Sequence, residues 1–220
     1  MPFQSITGAL AQIGNHHCQD ALRKLIELKG HRVSTQAALI SLLSRVRLPE
    51  AASVALFNKL VEDSKDAHVR EASLFGLGAM ALMLRRSHPR RASLITKRLV
   101  AQLKNAKEPE ALISILGAIG NSGEQNALPG IRPHLNHTIE AVRSAAIRSV
   151  RWMPSADADK ILADGMKHDS SAPIRLSIVE VYGYRPISDI AYEGLRYSAT
   201  RDINPLIRRR AIAILFRERF

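Results

Sequence analysis

Residues 69–78, VREASLFGLG, open on an apolar residue and an arginine and continue as small and aliphatic residues. The same arrangement returns at 142–150 (VRSAAIRSV), 174–182 (IRLSIVEVY) and 207–215 (IRRRAIAIL), and 111–120 (ALISILGAIG) keeps the apolar phase with Leu112 where the others have arginine. Aligned on their second position, the windows put Arg70, Leu112, Arg143, Arg175 and Arg208 in register, at steps of 42, 31, 32 and 33 residues. Apolar positions recurring at three and four residues mark a helix buried along one face. A nearly fixed period of this size marks a repeat. The last two units also share their lead-in, HDSSAPIR against RDINPLIR, with Asp169 and Asp202 at the same offset.

Other amphipathic segments of one helix length fill the intervals: 18–29, 34–46, 49–62, 89–106, 124–135, 155–167 and 188–198. Their breaks carry turn and capping chemistry: Gly30, Pro49, Asp66, Ser87 with Pro89, Asn121 with Gly123, Pro154 with Ser155, Pro186 with Ser188. Nothing alternates apolar and polar over the length of a strand. A pair of short helices cannot bury its apolar face alone, so the pairs stack. The expected fold is all-α: a right-handed α-solenoid of about six antiparallel helix pairs, roughly 32 residues each, forming one domain over 1–220. Solenoids carry polar capping repeats. The segment ending at Phe220 has none, which leads us to expect a longer parent chain or a partner over that end.

Composition narrows the partners. Apolar residues make up 46% of the chain but aromatics only 5%, a mix rich in good helix formers. The net charge of +12 points to an acidic partner: nucleic acid, an anionic membrane surface or an acidic protein. Cys18 is the only cysteine, which excludes an intrachain disulfide and a cysteine-held zinc and suits a reducing compartment. MPFQSITGAL lacks the basic start and apolar run of a signal peptide, and no run of about 18 apolar residues spans a bilayer. The expectation is a soluble, cytoplasmic protein, or a secreted one if the chain is a processed fragment.

Two sets of basic residues invite a functional reading. Residues 85–107 hold eight lysines and arginines and no acidic residue. On a helical wheel Arg90, Lys97 and Lys104 line up, with Arg91 and Arg98 beside them and Ile95, Leu99, Val100 and Leu103 opposite. Such a stripe is either a solvated outer face or a contact for phosphates, headgroups or an acidic protein. The second set is the repeated arginines. Arg70, Arg143, Arg175 and Arg208, with Asp66, Asp169 and Asp202 upstream, read as a structural ladder of hydrogen bonds to carboxylates and helix C-termini. In the C-terminal run the arginines scatter: Arg208 and Arg219 point one way, Arg210 and Arg217 another, Arg209 a third. That distribution suits a repeat helix better than a groove-reading arm.

Other chemistry is sparse. His16, His17 and Cys18 are adjacent and diverge on a helix, and His134 and His137 lack a third ligand, so no metal site is expected. No nucleophile elbow, phosphate loop or carboxylate–nucleophile set is present, so no catalytic residue and no cofactor is expected. Tyr182, Tyr184, Tyr192 and Tyr197 with Trp152 form a late aromatic group, either gap-filling or partner-docking.

V-R-x-A-A with an upstream aspartate is similar to HEAT-type repeats. A resemblance also runs nearly end to end to the superhelical domain of the vitellogenin and lipid-transfer-protein family. ALAQIGNHHCQDALRKLIE (9–27), LPEAASVALFNKLVED (48–63) and VREASLFGLGAMA (69–81) resemble its opening units. ISILGAIGNSGEQNALPGIRPHL (113–135), EAVRSAAIRSVRWMP (140–154) and APIRLSIVEVYGYRP (172–186) resemble later ones. LRRSHPRRA (84–92) lacks the cysteines that the family's extracellular members carry, and the lipid-holding β-sheet domains are absent. The resemblance implies a helical horseshoe that supports a lipid cavity and contacts partner proteins. The leading expectation is therefore a non-enzymatic scaffold for a protein partner or further lipid-holding domains. The alternatives are a HEAT-like nucleic-acid binder akin to α-solenoid DNA glycosylases, for which one tryptophan is few, and a peripheral binder of anionic membranes.

Overall fold

The computed structural model describes residues 2–28, 30–153 and 155–217, with side chains from Ser5 onward. Lys29, Pro154 and residues 218–220, including Arg219 of the C-terminal run, lie outside the described residues. Among those described there are thirteen α-helices and no strand. They are α1 (Pro2–Ile13), α2 (His16–Glu27), α3 (Val33–Ser44), α4 (Ala51–Asp63), α5 (Ala67–Leu84), α6 (Pro89–Asn105), α7 (Pro109–Ser122), α8 (Leu128–Ile131), α9 (Glu140–Ser149), α10 (Ala156–His168), α11 (Ala172–Val181), α12 (Asp189–Arg201) and α13 (Pro205–Arg217). The fold is an α-solenoid of helix pairs, and the chain divides into two compact units, residues 1–105 and 106–220.

In the first unit α4 packs on α5, and α3 and α5 stack as successive second helices. The α2–α4 contact is polar. Gln19 Nε2 donates to the Gly14 and Leu48 carbonyls at 2.8 and 3.0 Å, and its Oε1 accepts from Glu50 N–H and the Ser53 hydroxyl at 3.0 and 3.1 Å. Arg23 Nη1 donates to Glu50 Oε2 at 2.8 Å and to Ser53 at 3.0 Å. Burial pushes the Glu50 carboxyl up, but hydrogen bonds from Arg23 and His16 outweigh it and hold it below the usual carboxylate range.

In the second unit α7, α9, α11 and α13 form one layer, and α10 and α12 pack together in the other. Serines cap the helices of this unit: Ser155, Ser171 and Ser188 accept from the N–H groups of Ala158, Ile174 and Ala191. Gly123 ends α7 in the left-handed conformation, φ 62°. A Cβ on Gly120 would lie 2.7 Å from the Ser149 Cα, so α7 and α9 touch backbone to backbone there.

Two elements differ from the sequence reading. Residues 2–13 form α1, which the apolar pattern did not mark off as a helix of its own. Segment 124–135 is not one helix: 3-10 turns at 125–127 and 132–136 flank a four-residue α8. Pro129 and Pro133 remove two backbone donors and Gly130 loosens the turn between them, while buried Ala127, Leu128, Ile131 and Leu135 keep the segment packed. A cleft of about 800 Å³ lies between residues 132–138 and α10, with Arg143, Ile147 and Ile178 also on its wall.

Candidate partner-binding surfaces

The ladder arginines all stand at the fourth position of a second helix: Arg70 in α5, Arg143 in α9, Arg175 in α11 and Arg208 in α13. Each Nη1 donates at 2.8 or 2.9 Å to the carbonyl six residues back, those of Ser64, His137, Asp169 and Asp202. Those carbonyls end the preceding element, so each arginine closes the turn inside its own pair. Two also reach the next pair. Arg143 Nε lies 3.4 Å from Asp169 Oδ2, and Arg175 holds Asp202 at two oxygens, at 2.8 and 3.1 Å. Asp66 has a different task. It is the N-cap of α5, accepting from the N–H groups of His68 and Val69 at 2.9 and 3.2 Å. This chemistry is inward-looking and leaves little for a ligand.

Helix α6 presents the basic stripe. Ala92, Ile95, Thr96, Leu99 and Leu103 are buried, while Arg90, Lys97, Arg98 and Lys104 face solvent. Arg91 and Arg98 are committed locally: Arg91 Nη2 donates to the Pro49 carbonyl at 2.8 Å and Arg98 Nη2 to Glu62 at 2.9 Å. Arg90, Lys97 and Lys104 pair with no carboxylate among the described residues. Leu94, 70% exposed, and Ala101 stand between them. Exposed positions 90, 94, 97, 101 and 104 thus follow a four–three spacing along one ridge.

The Arg91–Pro49 contact brings the α3–α4 loop, which carries exposed Arg45 and Arg47, to the start of α6. Sequence reasoning missed Arg45 and Arg47 because the contact joins segments 42 residues apart. The charge is unevenly shared. Residues 1–105 hold sixteen lysines and arginines against seven acidic residues, and 106–220 hold sixteen against thirteen.

The late aromatic group separates in space. Tyr182 is fully buried, its hydroxyl donating to Asp159 Oδ1 at 3.1 Å. Tyr192 and Tyr197 lie half-exposed on α12, with Lys167 over the Tyr197 ring. Trp152 and Tyr184 are exposed and meet edge to face, 6.0 Å between ring centres.

No three histidine, cysteine or carboxylate side chains converge among the described residues. The rings of His134 and His137 stack at 6.2 Å. The Nδ1 of His134 is buried without a hydrogen-bond partner among the described residues, and burial, followed by the His137 charge, lowers its pKa. The unfolded chain therefore takes up this proton first as pH falls below about 6.5, so the neutral form's stability is full above that value and declines below it. The thermal midpoint is expected to drop between about pH 7.5 and 5.5, and His134→Gln to flatten that drop. An equal slope in the variant would remove His134 as its source.

Comparison with known proteins agrees with the repeat chemistry. The family model for HEAT repeats matches residues 96–183. No curated protein matches the chain. An engineered protein of known crystal structure superposes with a TM-score of 0.51 at 16% identity, over 89% of this chain and 95% of that one. Human deoxyhypusine hydroxylase in complex with glycerol gives 0.47 at 15% identity, over 95% and 87%. The CpcE–CpcF complex of phycocyanin lyase from Nostoc sp. PCC7120 gives 0.48 at 18%, over 92% and 82%. With second helices clamped through their fourth-position arginines, the chain is an α-solenoid in which residues 96–183 match HEAT repeats.

Proposed function

We propose that the protein is a non-enzymatic scaffold that docks an acidic helix of a partner protein along α6. The carrying observation is the ridge of Arg90, Leu94, Lys97, Ala101 and Lys104. Its four–three spacing is the seam spacing of helix-on-helix packing. Seven residues of helix rise about 10.5 Å, so the three cations match carboxylates at heptad spacing on a second helix. Leu94 and Ala101 supply apolar contact between them, which a purely solvated face has no need of. Nucleic acid fits less well, because no exposed aromatic side chain stands on α6 for a base to stack on. The finer vitellogenin-like reading, in which the partner is a lipid-holding domain, rests on the order of the sequence segments.

A helical peptide with glutamate and leucine at four–three spacing tests the proposal. Arg90→Glu, Lys97→Glu and Lys104→Glu together are expected to weaken its binding at least about tenfold with the helical circular dichroism intact. Unchanged binding would remove the stripe from consideration.

A further inference from the structure

A second surface lies in residues 106–220, away from the α6 ridge in sequence and different in chemistry. The C-terminal ends of α7, α9, α11 and α13 share one edge, and side chains link along it. Arg151 Nη2 donates to Asn121 Oδ1 at 3.2 Å, which holds its guanidinium 5.8 Å from the Trp152 ring centre. Trp152 meets Tyr184 with the ring planes at 68°. Arg217 Nη1 donates to the Gly183 carbonyl at 2.8 Å, next to Tyr184. Arg210, midway along α13, lies 3.9 Å from Glu180 near the end of α11, and Arg148 is exposed in the last turn of α9.

Trp152 is 42% exposed and Tyr184 61%, so this is an aromatic pair that the core does not use. Tryptophan, tyrosine and arginine are the residues that dominate interface energetics. Local hydrogen bonds hold Arg151 and Arg217 in place, so a ligand pays little to order them. The rings stand nearly perpendicular and form a notch, which suits a saturated ring or aliphatic group set against both. A nucleobase needs a free ring face, and the Arg151 guanidinium covers one face of Trp152. No strand edge is present among the described residues to pair with a strand. An extended proline-rich segment meets these limits. It arrives pre-ordered, and its rings pack on exposed aromatics. The surrounding guanidiniums outnumber Glu180, so the segment's flanking charges are acidic.

We propose that the Trp152–Tyr184 notch, with Arg151 and Arg217, binds a proline-rich acidic segment of a partner protein. The proposal rests on the scaffold reading of the fold but not on the α6 ridge. The probe is a fluorescein-labelled peptide of alternating proline and glutamate, read by anisotropy on the full chain. Wild type is expected to bind it. Trp152→Ala with Tyr184→Ala is expected to weaken binding at least about tenfold, as is Arg151→Glu. Replacing the probe's glutamates by glutamine, or its prolines by alanine, is expected to weaken it as well. The Arg90→Glu, Lys97→Glu, Lys104→Glu variant is expected to bind the probe as wild type does. Both aromatic residues are exposed, and a circular dichroism spectrum confirms that their variants fold. Absence of wild-type binding would overturn the proposal, as would equal binding by the aromatic variant. So would oligothymidylate binding that depends on Trp152 and Tyr184, which would assign the notch to nucleic acid. If the peptide binds while the α6 ridge fails its own test, the ridge reading falls alone.

Discussion

Asp159→Ala is expected to destabilise the protein by about 3–5 kcal/mol, the cost of leaving a buried charge without its partner. The Asp159 and Arg185 side chains are 6% and 2% exposed, and Arg185 Nη2 lies 2.7 Å from Asp159 Oδ1, an ion-pair contact off the hydrogen-bond axis. The second carboxylate oxygen accepts from the Ser188 hydroxyl at 2.6 Å, and Arg185 Nη1 donates to the Val150 carbonyl at 3.2 Å. Arg185 also lies over the buried Tyr182 ring, whose hydroxyl burial and the Asp159 charge keep protonated. One carboxylate thus ties the 182–188 turn to α10, and Arg185 carries the tie on to the end of α9. Urea unfolding followed by circular dichroism reads the loss. Asp159→Leu with Arg185→Met, which removes both charges, is expected to recover much of it. A loss below about 1 kcal/mol in Asp159→Ala would mean that water reaches the pair and screens it.

Arg175→Ala is expected to cost about 2–4 kcal/mol. It removes two hydrogen bonds to Asp202, whose side chain is 2% exposed, and two to the carbonyls of Asp169 and Ser170. Burial alone raises the Asp202 pKa. Hydrogen bonds from Arg175 and from the Asn204 N–H, together with the charges of Arg175 and Arg208, overcome it and hold Asp202 below its ordinary value. A depressed carboxylate contributes stability above its unfolded pKa of about 3.9 and loses it as pH falls through the folded value. Without Arg175 that acid-dependent loss should shrink. Arg208→Ala is expected to cost less, since among the described residues Arg208 donates only to the carbonyls of Asp202 and Ile203. Equal costs for the two variants would contradict the link between successive pairs.

The second helices were legible because each repeats the same burial problem. V-R followed by small and aliphatic residues records a helix start, an arginine clamp and a buried face at once. The sequence reading went too far where the apolar phase of ALPGIRPHL continued through two prolines: periodicity records which residues are buried, and the prolines decide that a full helix cannot form. Asp66 stands upstream of an arginine as Asp169 and Asp202 do, but four residues before it and not six. One residue before its helix it caps; three residues before theirs, Asp169 and Asp202 end the previous helix and meet the neighbouring arginine. The Asp159–Arg185 pair was invisible because only tertiary packing brings the two together. Tyr182 and Tyr184 looked alike in sequence, yet one is buried and the other exposed.

The most direct measurement is binding of the full chain, across a salt series, to three anionic probes: the helical glutamate–leucine peptide, duplex DNA and liposomes of anionic lipid. An acidic-helix scaffold predicts saturable peptide binding that salt weakens and that reversal of Arg90, Lys97 and Lys104 removes, with no preference for DNA or liposomes. Steep salt-dependent binding to DNA, with no retention of the peptide, would contradict it.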